Sequence, residues 1–163
     1  MRTGSLIATA LLLLASCNSG SDSSPTGPDT IVPFVTVHRE QITGVAQRRA
    51  ELISRQDLWE KTWAEIVSNR FPKPPIPTVD FDRNLLIFVA LGETPDSCKS
   101  VRIDDVRRRA SGELLVSVKE TRPPPSCSCP PVVAFPVHVV AVPRSATGVA
   151  FTFESVTEGP GCN

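Results

Sequence analysis

The side chains best able to do chemistry in this 163-residue chain are five cysteines and two histidines. Four cysteines, Cys98, Cys127, Cys129 and Cys162, fall in its second half. A structural zinc site needs two close pairs with typical CxxC spacing, whereas here one CxC stands with two singletons. A dithiol redox centre needs CxxC beside a βαβ unit, and the chain has neither. His38 and His138 are far apart in sequence, and His138 sits inside an apolar run, where a structural role is expected. No GxSxG elbow accompanies them, and no glycine-rich phosphate loop is present. Acidic residues are scattered singly apart from Asp104 and Asp105, which face Arg107, Arg108 and Arg109 as a solvated hairpin end would. No catalytic residue, metal site or cofactor is therefore assigned.

Charge narrows the partners. Seventeen basic and seventeen acidic side chains cancel, so no basic field exists to attract nucleic acid. The N-terminus is more specific. Arg2 precedes an apolar stretch from Leu6 to Leu14, too short for a bilayer span of roughly 20 residues but right for a signal-peptide core. Leu14, Ala15, Ser16 and Cys17 follow, which resembles the lipobox of bacterial lipoproteins. The resemblance implies cleavage after Ser16, acylation of Cys17 and a membrane anchor of two or three acyl chains, each buried CH₂ contributing about 0.8 kcal/mol. Residues 1–16 are then a signal peptide. Residues 17–33, rich in Ser, Gly, Pro and Asp, form a flexible tether with a reach on the order of 20 Å. A domain spanning 34–163 stands on the exported side of the membrane, in the cell envelope. Asn18 is not the aspartate associated with inner-membrane retention, which favours the outer membrane where a cell has two.

Export puts the four remaining cysteines in an oxidising compartment, where an even number reads as two disulfides. Cys127 and Cys129 lie about 7 Å apart if extended, too far to pair comfortably with each other. One is expected to reach Cys98 and the other Cys162.

The elements that position these groups follow from periodicity. Phe34, Val35 and Val37 read as a strand, with a second extended run from Val45 to Ile53. Ser54 is the expected helix N-cap, with Asp57 three residues on. Leu58, Trp59, Thr62, Trp63, Ile66 and Val67 make one apolar helical face, in which the two tryptophans read as core rather than as a ligand platform. The helix must stop before Pro72, and Lys73–Pro77 forms a stiff link. Leu85–Leu91 is continuously apolar, as in a strand buried on both faces. Strands are expected around Val101–Val106, Leu114–Val118, Val137–Val142 and Val149–Phe153. The fold class is α+β: one amphipathic helix packed on a mostly antiparallel sheet, in a single domain.

Three stretches carry a further resemblance: Asp57-Leu58-Trp59 with Trp63; Val79 through Asn84 into the strand ending Leu91-Gly92, then Val101-Arg102-Ile103; and Phe135 through Pro143 after a Pro-rich segment. Together they resemble the C-terminal domain family of PrcB, a lipoprotein subunit of a spirochaete surface protease complex. The resemblance covers roughly Arg55 to Phe153. It implies binding and stabilisation of a partner protein, an exported protease among the candidates. One departure is clear: family members often carry a Gly-Gly-Tyr or Gly-Cys-Tyr turn after the buried strand, whereas this chain has Pro95 to Ser100 and no tyrosine at all.

The surface candidate for recognition is the rigid segment bearing Pro123, Pro124, Pro125, Pro130 and Pro131. Its plainer reading is a stiff crossing between two strands. Two other functions compete with partner binding: a protease inhibitor of the chagasin-like type, whose loop motifs are not legible here, and a small-ligand-binding envelope domain.

Overall fold

The computed structural model describes residues 27–158. Cys17 and Cys162, and with them the signal peptide and most of the tether, lie outside the described residues. Eight strands and one helix follow in the order β1 (Thr30–Ile31), β2 (Val35–Glu40), β3 (Arg49–Ile53), α1 (Gln56–Ile66), β4 (Asn84–Ala90), β5 (Ser100–Arg108), β6 (Glu113–Arg122), β7 (Val137–Pro143) and β8 (Gly148–Thr157).

The class is α+β, as expected, but the strands divide between two sheets rather than one. One sheet has the order β1-β5-β6-β8 and the other β2-β7-β4-β3. The apolar runs of β4 and β7 explain the division. Leu85, Ile87, Val89, Val140 and Val142 point one way and are covered by Val101, Ile103, Val106, Leu114, Val116 and Val118 of the other sheet. Leu86, Phe88, Ala90, Val137 and Val139 point the other way and are covered by Trp59, Trp63 and Ile66 of α1. A strand apolar on both faces needs two covers. The molecule is thus three layers deep: sheet, sheet, helix.

All pairings are antiparallel except β6 with β8, which run parallel in continuous register from Glu113↔Gly148 to Arg122↔Thr157. The path of the chain requires it. After β6 the chain crosses to the other sheet, returns along β7, and re-enters the first sheet beside β6. Thr147 N–H donates to Gly112 O at 3.1 Å, so the β5–β6 turn and the β7–β8 connection share one end of the molecule. The Pro-rich crossing lies at the opposite end.

Three boundaries differ from the sequence reading. The domain begins before residue 34: Thr30 and Ile31 pair with Arg108 and Arg107 of β5, and Val32 is buried in the inter-sheet core. Three consecutive β-branched residues, Thr30, Ile31 and Val32, amid the Ser/Pro-rich stretch are enough to add a short edge strand. The helix cap also moves. Arg55, in an extended conformation, is the N-cap, and no side chain caps the helix. Ser54 O instead accepts from Arg144 Nη1 at 3.1 Å, so this residue belongs to the connection leaving β3.

The extended run expected from Val45 forms a strand only from Arg49. Val45 is fully buried, in a bend that passes under the end of the helix. Gly44 N–H donates to Ile66 O at 3.1 Å, and a Cβ on Gly44 would lie 2.6 Å from Glu65 O. Only glycine allows that approach.

Candidate functional site

At one end of the sandwich three connecting segments are bolted together. Cys98 and Cys129 form a disulfide with Cα atoms 5.9 Å apart, one of the two expected pairings of Cys98. Cys127 is disulfide-bonded as well. Thr94 and Ala134 exchange two backbone hydrogen bonds, at 2.8 and 3.1 Å. Phe135 N–H donates to Gln41 O, and Thr43 Oγ1 donates to Phe135 O at 2.7 Å. The segment after β4, the Pro-rich crossing and the bend after β2 are therefore tied to one another.

The proline candidates divide within this end. Pro123 and Pro124 are half-buried, while Pro125, Pro130 and Pro131 are exposed. Beyond them Val132 and Val133 are each 46 % exposed, and Ile42 on the adjoining bend is 45 % exposed. These three apolar side chains share the stapled end with the exposed prolines. Sequence alone gave no reason to join Ile42, ninety residues away, to this loop.

Asp96 with Cys98 and Cys129 would satisfy the distances of a metal site. The chemistry does not fit, because both sulfurs are spent in the disulfide and Asp96 Oδ1 accepts the Cys98 N–H at 3.0 Å.

A small polar cleft adjoins the staple, about 130 Å³ in volume and lined by Arg48, Glu93, Lys99, Glu120 and Arg122 among others. Glu120 is buried at an inward-facing position of β6 and is neutralised by Arg48, whose guanidinium also covers the Phe153 ring at 4.7 Å. A buried carboxylate needs such a partner. A larger cleft, about 300 Å³, runs between β3 and α1 and is lined by Arg49, Glu51, Leu52, Ile53, Leu58, Lys61, Thr62 and Glu65.

His138 is hydrogen-bonded into the scaffold, whereas His38 Nε2 is buried without a hydrogen-bond partner among the described residues. His138 is buried between the sheets, where Nδ1 accepts the Ile103 N–H at 2.8 Å and Nε2 lies 3.0 Å from Thr36 Oγ1. Accepting at Nδ1 fixes the neutral ring with its proton on Nε2. Burial, then the charges of Arg39, Arg102 and His38, lower its pKa to about 4. His38 meets Trp63 edge-on at 5.0 Å and is likewise shifted down, first by burial and then by Arg70. Its Nε2 is 3.3 Å from Glu40 Oε2, but with the ring neutral this is a polar contact rather than an ion pair, and Arg70 already holds the Glu40 carboxylate.

The depressed pKa has a definite sign. The unfolded chain binds a proton at His138 below its ordinary 6.5, whereas the folded chain resists until about 4. Stability is therefore full above pH 6.5 and is lost as pH falls toward 4, by on the order of 3 kcal/mol from this group. Chemical denaturation at a series of pH values should show that slope, with a smaller contribution of the same sign from His38. His138→Asn, whose Oδ1 can stand where Nδ1 accepts from Ile103, should flatten it; an unchanged slope would show that other groups carry the acid sensitivity.

The chain matches no protein-family model, no curated protein and no solved structure. No helix among the described residues is long and apolar enough to cross a membrane. The two tryptophans are core, as read from the sequence: Trp59 is fully buried and Trp63 is 7 % exposed. Asp105 pairs with Arg107, and Asp104 with Arg102, on exposed strand positions, so that charge cluster is a solvated surface.

Proposed function

We propose that the chain is an exported lipoprotein, anchored through acyl chains on Cys17, whose domain binds and stabilises a partner protein in the cell envelope. An envelope protease is the partner class that the resemblance to the PrcB C-terminal domain implies. The observation that carries the binding reading is the stapled end, where Ile42, Val132, Val133 and three exposed prolines are presented on a backbone tied by disulfide and hydrogen bonds. Such a surface loses little conformational entropy on docking, and exposed apolar groups supply the association energy. The anchor rests on the lipobox-like Leu14 to Cys17 and the charged, apolar segment before it.

Two measurements test this reading. Cys17→Ser should shift the protein from the membrane to the soluble fraction of its native cell and abolish labelling by a fatty-acid analogue; retention on the membrane would refute the anchor. Crosslinking of the full-length lipoprotein in its native envelope, read by mass spectrometry, should give one dominant exported protein. That product should disappear in Val132→Glu/Val133→Glu while the unfolding midpoint stays unchanged. A crosslinking pattern identical in the two forms would remove the stapled end from the interface.

A further inference from the structure

Each sheet has two outer strands, and three of these edges carry features that discourage further pairing. β1 has only two residues, β2 breaks register between Thr36 and His38, and β3 is five residues bearing Arg49 and Glu51. β8 is different. It runs for ten residues, Gly148–Thr157, in unbroken parallel register with β6. It contains no proline, no lysine and a single charge, Glu154. Among the described residues no strand pairs with its outer edge, so the N–H and C=O groups turned away from β6 have no strand to bond.

The inward face of this edge is apolar and incompletely covered. Val149, Phe151 and Phe153 stand beside Leu114, Val116 and Val118 of β6, all buried in the inter-sheet core. Val149 and Phe151 pack against that core but are only half-buried, and Phe153 is 41 % exposed beside Arg48. A second copy of β8 completes the cover, because the strand is complementary to itself. Residues opposite each other in an antiparallel pair face the same side, so a twofold axis must pass through a residue. An axis through Glu154 opposes two carboxylates, and one through Phe153 leaves each Phe151 opposite a serine, Ser155. An axis through Thr152 sets each Phe151 opposite the partner's Phe153, Val149 opposite the partner's Ser155 and Ala150 opposite the partner's Glu154. No like charges meet, and both aromatic pairs lie on the face that lacks cover.

We propose that β8 is a homodimer interface: two copies of the chain pair their β8 strands antiparallel about Thr152, joining two four-stranded sheets into one. Main-chain hydrogen bonds supply the affinity, and the phenylalanine pairs fix the register. β8 runs from the end of the molecule that holds Gly112 toward the stapled end, where Glu158 N–H donates to Arg122 O. An antiparallel dimer therefore holds its two stapled ends apart. Self-pairing and partner binding use different surfaces, and this proposal stands independently of the partner-binding reading above.

The test is a charge exchange at Thr152, whose side chain is exposed, so that substitution leaves the core untouched. Sedimentation velocity of the full-length chain in detergent micelles, over a range of concentrations, should show a monomer–dimer equilibrium. Thr152→Lys and Thr152→Glu each set like charges opposite one another and should weaken the dimer by roughly tenfold or more. Mixing the two variants should restore it, because opposite charges then meet across the axis. Amide exchange in residues 148–157 should slow as the wild-type dimer forms, and in neither variant alone. A wild-type chain that stays monomeric throughout would overturn the proposal. So would a dimer kept by both single variants, or one lost in both and not restored on mixing. Dimer loss in Val132→Glu/Val133→Glu would overturn it as well, by assigning self-association to the stapled end.

Discussion

Trp59→Ala is expected to lower the unfolding free energy by about 3–5 kcal/mol, the range for deleting a large aromatic from a packed core. For a domain whose whole stability is about 5–15 kcal/mol, that leaves a markedly destabilised protein at ambient temperature. The indole is fully buried between α1 and the faces of β4 and β7. Its ring centroid is 5.5 Å from that of Trp63, and its Nε1 donates to Pro77 O at 3.0 Å. Trp63 makes the parallel bond to Pro74 O at 3.2 Å. The proline link thus does more than connect. Having few N–H groups of its own, it lies along the helix and offers carbonyl acceptors to both indoles, which must be satisfied once buried. Trp59→Phe, which keeps most of the apolar area, should lose less than Trp59→Ala. Phe71→Ala, at a fully exposed ring, should stay within about 0.5 kcal/mol of wild type. Denaturant titration followed by tryptophan fluorescence measures all three; a loss below 1 kcal/mol in Trp59→Ala would mean that the helix is not held by this contact.

Removing the staple should be nearly as costly. The Cys98–Cys129 bond joins positions 31 residues apart, and loop closure of that length restricts the unfolded chain by roughly 3–4 kcal/mol. Cys98→Ser/Cys129→Ser, made together so that no stray thiol remains, should lose an amount of that order. Hydrogen exchange should accelerate most between residues 93–99 and 123–136. The chain in those segments has few backbone hydrogen bonds beyond the Thr94–Ala134 pair and the short turns at Cys127 and Val132. Stability and exchange rates equal to wild type would show that the remaining bonds hold this end without help. If they fall as expected, capture of the native partner should fall with them, because an unstapled loop must be ordered on docking.

Particular residues show how far the sequence reached. The two-faced hydrophobicity of Leu85–Leu91 is a local pattern, and it announced a strand buried on both sides. The helix carrying Trp59 and Trp63 was legible for the same reason, since a 3.6-residue period survives in any context. Cys98 was restricted to Cys127 or Cys129 by simple geometry along an extended chain. The cap failed because Ser54 had a competing use for its backbone, the hydrogen bond from Arg144 ninety residues away. The domain boundary failed because Thr30 and Ile31 are ordered by β5, a partner that composition cannot reveal.

The sequence by itself determined which segments are apolar, with what period, where proline forbids a helix, and that Cys127 and Cys129 are not each other's partners. Those are properties of a short window of chain. Tertiary structure decided how the strands divide between two sheets, that β8 runs parallel to β6, that Ile42 joins the Pro-rich loop, and that β3 ends a sheet beside a helix. Each of these depends on contacts between residues tens of positions apart, whose closure is set by the packing of the whole core. The candidate surfaces belong to this second kind, because a cleft or a free edge exists only where the rest of the fold has left a side of some element uncovered.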